Sequence, residues 1–348
     1  MNNSTENYYT DRTRISNSNI GWFLNKGPAY LYKMLTEDIP EEKNPVLERG
    51  TMIHEYILQP EEFQKDYVVW DKSRPSSPQE EAFCQALAFS TEIEPNRAIL
   101  SAFKQAYSTV GKSEDLMLST GLKKASALKE YIDFLKSGDQ RKMISIWDLK
   151  MLEKIKQNIQ SHKLANKIIG VPGNMYDDDS NITWFHRHEF HINWEWQGLV
   201  GKPGSPEAPD IVQVKCKSLL DGLILDFKRK IATIYDLKTT QKLWHFEDSI
   251  EQYDYCRQLM YYCMAVQWYL KNECNEDFNE WDFDFYIIGI DTTGTYEVRV
   301  FEILPVMCTS RKHVIYDALF EIAWHQSTGK WNYSREYYEG DGSEKLNL

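Results

Sequence analysis

An apolar run, Ile231-Ala232-Thr233-Ile234-Tyr235, leads straight into Asp236-Leu237-Lys238 and constrains the fold more than any other segment. Upstream lies a second run, Gly222-Leu223-Ile224-Leu225-Asp226, preceded by Asp221, and the basic stretch Phe227-Lys228-Arg229-Lys230 separates the two. Two apolar runs flanking so short a segment read as antiparallel strands around a turn near Lys228-Arg229. In that register Asp221 stands opposite Asp236. Directly opposed side chains lie about 4.5–5.5 Å apart, and the period of two keeps Lys238 on the face that carries Asp236. A competing register exists, because Asp226-Phe227-Lys228 repeats the acid-x-lysine spacing with Pro209-Asp210 upstream. No apolar strand of useful length leads into it, so the 221/236 pairing is the better reading.

Two carboxylates that close can share a divalent metal, and a lysine beside them suits metal-assisted phosphodiester hydrolysis. A third carboxylate is expected, because magnesium takes about six oxygens and keeps several waters. Glu189 and Glu195 are the candidates in strand-like sequence. Glu189, flanked by Phe190 and Ile192, fits an inward position better. The Leu237 backbone carbonyl, between the two key side chains, would add another oxygen.

A hydrophobic content of 42% in 348 residues describes a folded globular chain. Its longest apolar stretch, Met260 to Leu270, is interrupted by Gln267 and falls short of a membrane span. The start, Met1-Asn2-Asn3-Ser4-Thr5-Glu6, lacks the pattern of a signal peptide. Six cysteines form no C-x-x-C pair, so a reduced, cytoplasmic setting is expected. The net charge of −12 argues against broad coating of nucleic acid. Residues 215–242 nevertheless hold seven Lys/Arg against three Asp, enough for a local basic groove in which Lys217 and Arg229 would meet phosphate.

The pattern along the chain divides it into four parts. Residues 1–75 read as helices that contribute to the core, with a break at Gly27-Pro28 and a helix from Gly50 to Leu58 stopped by Pro60. Residues 76–175 read as a helical insertion, with Leu149, Leu152, Ile155 and Ile159 at helical spacing. Residues 176–330 read as the sheet-bearing core, with strands over 184–196, 211–225 and 231–237, a loop at Gly201 to Pro206, and a later hairpin across Thr292-Thr293-Gly294. Ser249 with Gln252 reads as a capping box opening a helix to about Leu270, and a last helix is expected near 311–326. A polar, aromatic tail, 331–348, closes the chain.

Asp221…Asp236-x-Lys238 resembles the PD-(D/E)XK nuclease superfamily. Ile234-Tyr235-Asp236-Leu237-Lys238-Thr239-Thr240 is similar to the D-[VL]-K-T-T segment of RecE-like and phage exonucleases. Ile15-Ser16-Asn17-Ser18 with Gly27-Pro28 resembles their N-terminal serine motif, and Gly50-Thr51-Met52-Ile53-His54 their G-T-x-x-H helix. Gln258-Leu259-Met260-Tyr261-Tyr262 resembles the Q-x-x-x-Y helix of the RecB-type branch. The departures are the long helical section and the wide gap between Glu189 and Asp221. The resemblance implies an α/β, restriction-endonuclease-like core, a central mixed sheet flanked by helices with an N-terminal helical section. It implies Mg²⁺, with Mn²⁺ as a substitute, bound by Asp221, Asp236, Glu189 and the Leu237 carbonyl, with His54 as a further ligand or orienting group. Lys238 and Gln258 would act at the scissile phosphate and its water, and Ser16 and Tyr262 would face DNA.

The implied activity is 5′→3′ degradation of linear double-stranded DNA, leaving 3′ single strands for a single-strand annealing protein in recombination, by a homo-oligomer. Ser16 reads equally well as a helix cap, and Tyr262 and His54 as packing residues. A second reading is a RecB-type nuclease of CRISPR adaptation or helicase-linked repair, some of which carry an iron–sulfur cluster. Cys256, Cys263, Cys274 and Cys308 are numerous enough for one but badly spaced. A third is a catalytically silent DNA-binding module on the same fold.

Overall fold

The computed structural model describes residues 5–39, 44–200 and 210–344. The loop expected at 201–206 and Pro209 of the competing register lie outside the described residues. Contacts divide the chain into two compact units, residues 1–59 with 154–348, and residues 60–153.

The smaller unit is helical, as the spacing of its apolar residues requires. Helices Pro78–Ala88, Pro95–Ala106, Glu114–Ala127 and Lys129–Ser137 bury Phe83, Ile99, Phe103, Met117 and Ile132 in a core of their own. A short parallel strand pair, Tyr67–Val69 with Lys142–Ile144, completes it. The helical section expected at 76–175 overlaps this unit, whose bounds fall at 60 and 153.

The larger unit opens with α1 (Thr5–Thr10), α2 (Asn17–Thr36) and α3 (Pro45–Leu58). Ser16 caps α2 by accepting from the Asn19 N–H, and the Asn19 side chain accepts from the Ser16 N–H in return. Gly27, at φ +81°, breaks α2 just before Pro28, so the break read at Gly27-Pro28 is present. Pro45 and the cap Asn44 start α3, and Gln59 ends it.

Six strands follow: β1 (Gly173–Tyr176), β2 (Ile182–Val200), β3 (Asp210–Asp226), β4 (Ile231–Thr240), β5 (Asp282–Asp291) and β6 (Val298–Ile303). They form one sheet in chain order. All neighbours are antiparallel except β4 and β5, which are parallel and need a crossover. That crossover consists of α4 (Phe246–Gln252) and α5 (Tyr255–Asn272), and α6 (Lys312–Thr328) comes after the sheet. This mixed sheet flanked by helices is of the restriction-endonuclease-like α/β kind.

Helix α5 buries residues around most of its circumference, including Leu259, Tyr261, Ala265, Val266 and Leu270, as a helix packed in the core does. It does not start at the expected Ser249 cap. Ser249 lies inside α4, and the chain breaks at Asp254, whose left-handed backbone (φ +49°) and side chain cap α5. A short helix and a long one replace the single expected helix, and Tyr255 gains a position at the first turn of α5. Among the described residues no helix is long and apolar enough to cross a membrane.

Candidate metal centre

The hairpin register is the expected one. Gly222 pairs with Tyr235 and Asp226 with Ile231 around the turn at 227–230. On the other side of β3, His188 pairs with Gly222 and Phe190 with Leu220. Positions 189, 221 and 236 therefore fall in one row across β2, β3 and β4. The ladder gives way along this row. The next cross-strand N–H, that of Leu237, donates to the Asp221 carboxylate at 2.7 Å instead of to a backbone carbonyl. Glu189 adopts φ +45°, a left-handed conformation rare for a residue with a Cβ. Strain of this kind costs on the order of 1–3 kcal/mol and concentrates at functional sites.

Three ligand atoms converge here. One each from His54, Glu189 and Asp221 lie within 4.8 Å of one another. His54 arrives from α3, with Nδ1 3.5 Å from Asp221 Oδ2, and its ring also hydrogen-bonds the Leu237 carbonyl. Asp236 is almost wholly buried beside them. Its Oδ1 accepts from Gln258 Nε2 at 2.9 Å, and Lys238 Nζ stands 2.6 Å from Oδ2 as an ion pair without good hydrogen-bond angles. Gln258 Nε2 also donates to the Tyr262 hydroxyl at 2.9 Å, which commits both its hydrogens and fixes its orientation.

The electrostatics are those of crowded acids. Burial, reinforced by Asp221, Asp236 and Glu55, holds the Glu189 carboxyl well above its usual range. Burial likewise lifts Asp236 to about 7, with Lys238 opposing and Asp221 adding to the rise. Burial acts to lower the Lys238 pKa, yet Asp236 and Asp221 outweigh it and raise it. His54 is lowered by burial, which favours the neutral imidazole that ligates metals. A cation is the ordinary remedy for carboxylates that repel one another in a partly buried site. The donor set, two carboxylates with one imidazole, suits a divalent cation. The residues therefore fit a metal.

Several expectations need correction. Glu195, the less favoured of the two upstream candidates, pairs across the strands with Lys215 and is exposed, while Glu189 stands beside Asp221. Asp226 accepts from the N–H groups of Lys228 and Arg229, which makes it a turn residue and removes the competing register. Arg229, expected to meet DNA, is exposed at the turn five residue pairs from the carboxylate row, about 16 Å along the strands. Lys217 is buried, and its ammonium donates to the carbonyls of Tyr8 and Asp11. Ser16 is buried as the α2 cap, the alternative its sequence offered. Tyr262 is buried against Gln258 and orients it. Of the four cysteines weighed for a cluster, Cys256 hydrogen-bonds Cys308, and Cys274 hydrogen-bonds Tyr269.

Other residues at the site escaped the sequence reading. The Tyr255 ring faces Lys238, with Nζ 5.1 Å from its centroid. Buried Arg257 donates to the carbonyl and side chain of Asn17, tying the start of α5 to the start of α2. An aspartate three residues before an arginine at a helix start was the available signal, and the Ser249 cap obscured it.

No family model matches the chain, and no curated protein matches it in sequence. Among solved structures, the chain is similar to a protein provisionally named an exonuclease from Eubacterium rectale. The likeness has 13% identity and a TM-score of 0.45 over 100% of this chain and 96% of the other. Those values are too low to define a family or an activity.

Proposed function

We propose that this chain is a metal-dependent deoxyribonuclease that degrades linear double-stranded DNA from its ends, with Mg²⁺ as the ion and Mn²⁺ as a substitute. The observation that carries the reading is the row of Glu189, Asp221 and Asp236 across three strands, with His54 above it and Lys238 beside Asp236. Glu189, Asp221 and His54 would hold the ion, with Asp236 and the Leu237 carbonyl adjoining. When bound, such an ion lowers the pKa of a ligated water and offsets charge on phosphoryl oxygens.

The remaining roles belong to the chain itself. Lys238 carries its proton between Asp236 and the Tyr255 ring, so it neutralises developing phosphate charge and orients the attacking water. Gln258, locked by Asp236 and Tyr262, keeps the Asp236 carboxylate aimed into the site. In this reading the polarity is 5′→3′, the product is a 3′ single strand that an annealing protein takes up in recombination, and the working form is a homo-oligomer. These finer features follow the motif resemblance.

Linear duplex labelled at either 5′ or 3′ ends, incubated with and without Mg²⁺, tests the reading. Mg²⁺-dependent release of the 5′ label and survival of covalently closed circles are expected. Efficient linearisation of closed circles by pure protein would overturn the exonuclease assignment.

A further inference from the structure

The connection between β4 and α5 carries most of a stack of aromatic rings that begins in the core at β6, meets Lys238 at Tyr255 and ends in solvent. The rings run Phe301, Phe246, Tyr255, Tyr253, with centroid separations of 4.8, 6.0 and 5.7 Å and interplanar angles of 17°, 27° and 25°. Phe246 is buried, Tyr255 half-buried, and Tyr253 58% exposed. Among the described residues no other ring and no cation meets Tyr253, so the stack ends on an aromatic face left to water. Trp244, on the same connection, is as exposed, but the Arg299 guanidinium lies 4.6 Å over its ring.

The end of the stack is held rigidly. Asp254, between the two tyrosines, caps α5 and is bridged by Arg257 at 3.4 Å and Arg311 at 3.0 Å. Tyr255 serves three neighbours, stacking on Phe246 and Tyr253 and taking the Lys238 ammonium 5.1 Å from its centroid. A planar group resting on Tyr253 thus extends the stack whose next ring, Tyr255, meets the lysine.

We propose that Tyr253, backed by Tyr255 and Phe246, is a stacking platform for an unpaired nucleobase of the strand whose phosphate Lys238 addresses. The inference rests on the nuclease reading and gives its site a subsite for single-stranded ends. Nearby α4 carries Glu247, Asp248 and Glu251, so phosphate attraction is not the source of affinity at this ring. Stacking is: every base has a π-face, and one base–aromatic contact contributes on the order of 1–3 kcal/mol. Its contribution therefore persists at high salt, where phosphate contacts weaken.

The test uses the full chain with Ca²⁺ in place of Mg²⁺ to permit binding without turnover. The probe is a duplex with a short unpaired 5′ end carrying 2-aminopurine. Wild type and Tyr253→Phe should quench the 2-aminopurine fluorescence. Tyr253→Leu should lose the quench and bind the unpaired end about tenfold more weakly at both low and high salt. Trp244→Leu should quench as wild type does. Tyr253 is exposed, so the leucine variant keeps its far-ultraviolet circular dichroism. A Tyr253→Leu protein that quenches like wild type overturns the platform while leaving the nuclease reading intact. A wild-type protein that neither binds nor cleaves DNA removes both.

Discussion

The β3–β4 hairpin carries the same acid-x-lysine spacing at its two ends, and only one end has the makings of a site. At the turn, Asp226 accepts from backbone N–H groups while Arg229, 77% exposed, stands 3.9 Å from it. At the other end, Asp236 is 2% exposed in its side chain, with Lys238 at 2.6 Å and Gln258 at 2.9 Å. Water reaches the Arg229 guanidinium and screens that pair. Burial lifts Asp236 to about 7 and crowds it against Asp221 and Glu189. Chemistry at a carboxylate thus depends less on the motif than on what covers it.

The largest contrast expected between the two ends is in activity. Asp236→Ala should lower DNA cleavage by about 10³-fold or more, as loss of a group acting on the reacting phosphate does. Asp226→Ala, which removes the turn's hydrogen bonds and its long contact with Arg229, should cleave at the wild-type rate in the same end-labelled assay. Equal losses in both variants would erase the distinction drawn here.

The lysine and the arginine should differ next. Lys238→Ala should lose about 10²-fold in kcat while calorimetry still finds metal binding, because the carboxylates and His54 remain. Arg229→Ala should change neither kcat nor duplex affinity. Metal binding that vanished with Lys238 would show the lysine to be part of the ion's architecture and not of the reaction.

The smallest effect is on stability and carries a definite sign with pH. Glu189 has its folded pKa raised above its ordinary value of 4.5, so the folded state holds that proton more tightly than the unfolded chain. Its ionised form opposes folding once pH exceeds the unfolded value, and the penalty grows as pH rises toward the folded one. Glu189→Gln should therefore raise the melting temperature of metal-free protein by about 2–4 °C at pH 8 and hardly at all at pH 4. Differential scanning calorimetry at both values decides it. A larger gain at the acidic value would reverse the assigned electrostatics.

Much of the fold around the hairpin is legible in the sequence. The apolar runs on either side of residues 227–230 gave the strand pair and its register, because period-2 patterning tolerates no one-residue slip. The apolar neighbours of Glu189 pointed to an inward position, and it stands in the row with 221 and 236. What the sequence hid was burial of charge. Lys217 reads as a phosphate contact until α1 and the residue just after it supply the carbonyls of Tyr8 and Asp11 to receive it. Arg229 lies close to Asp236 along the chain, yet the strand carries it away from the carboxylate row. Tyr253 and Tyr255 look like ordinary helix residues until Asp254 turns left-handed and splits one expected helix into two.

The central claim is that the Glu189–Asp221–Asp236 row, with His54, is a metal centre. Isothermal titration of Mn²⁺ into the metal-free protein at pH 7.5, beside the folded Asp221→Ala variant, tests it most directly. Saturable binding by wild type and its loss in the variant are the expected results. No binding by wild type, or equal binding by both, would contradict the account.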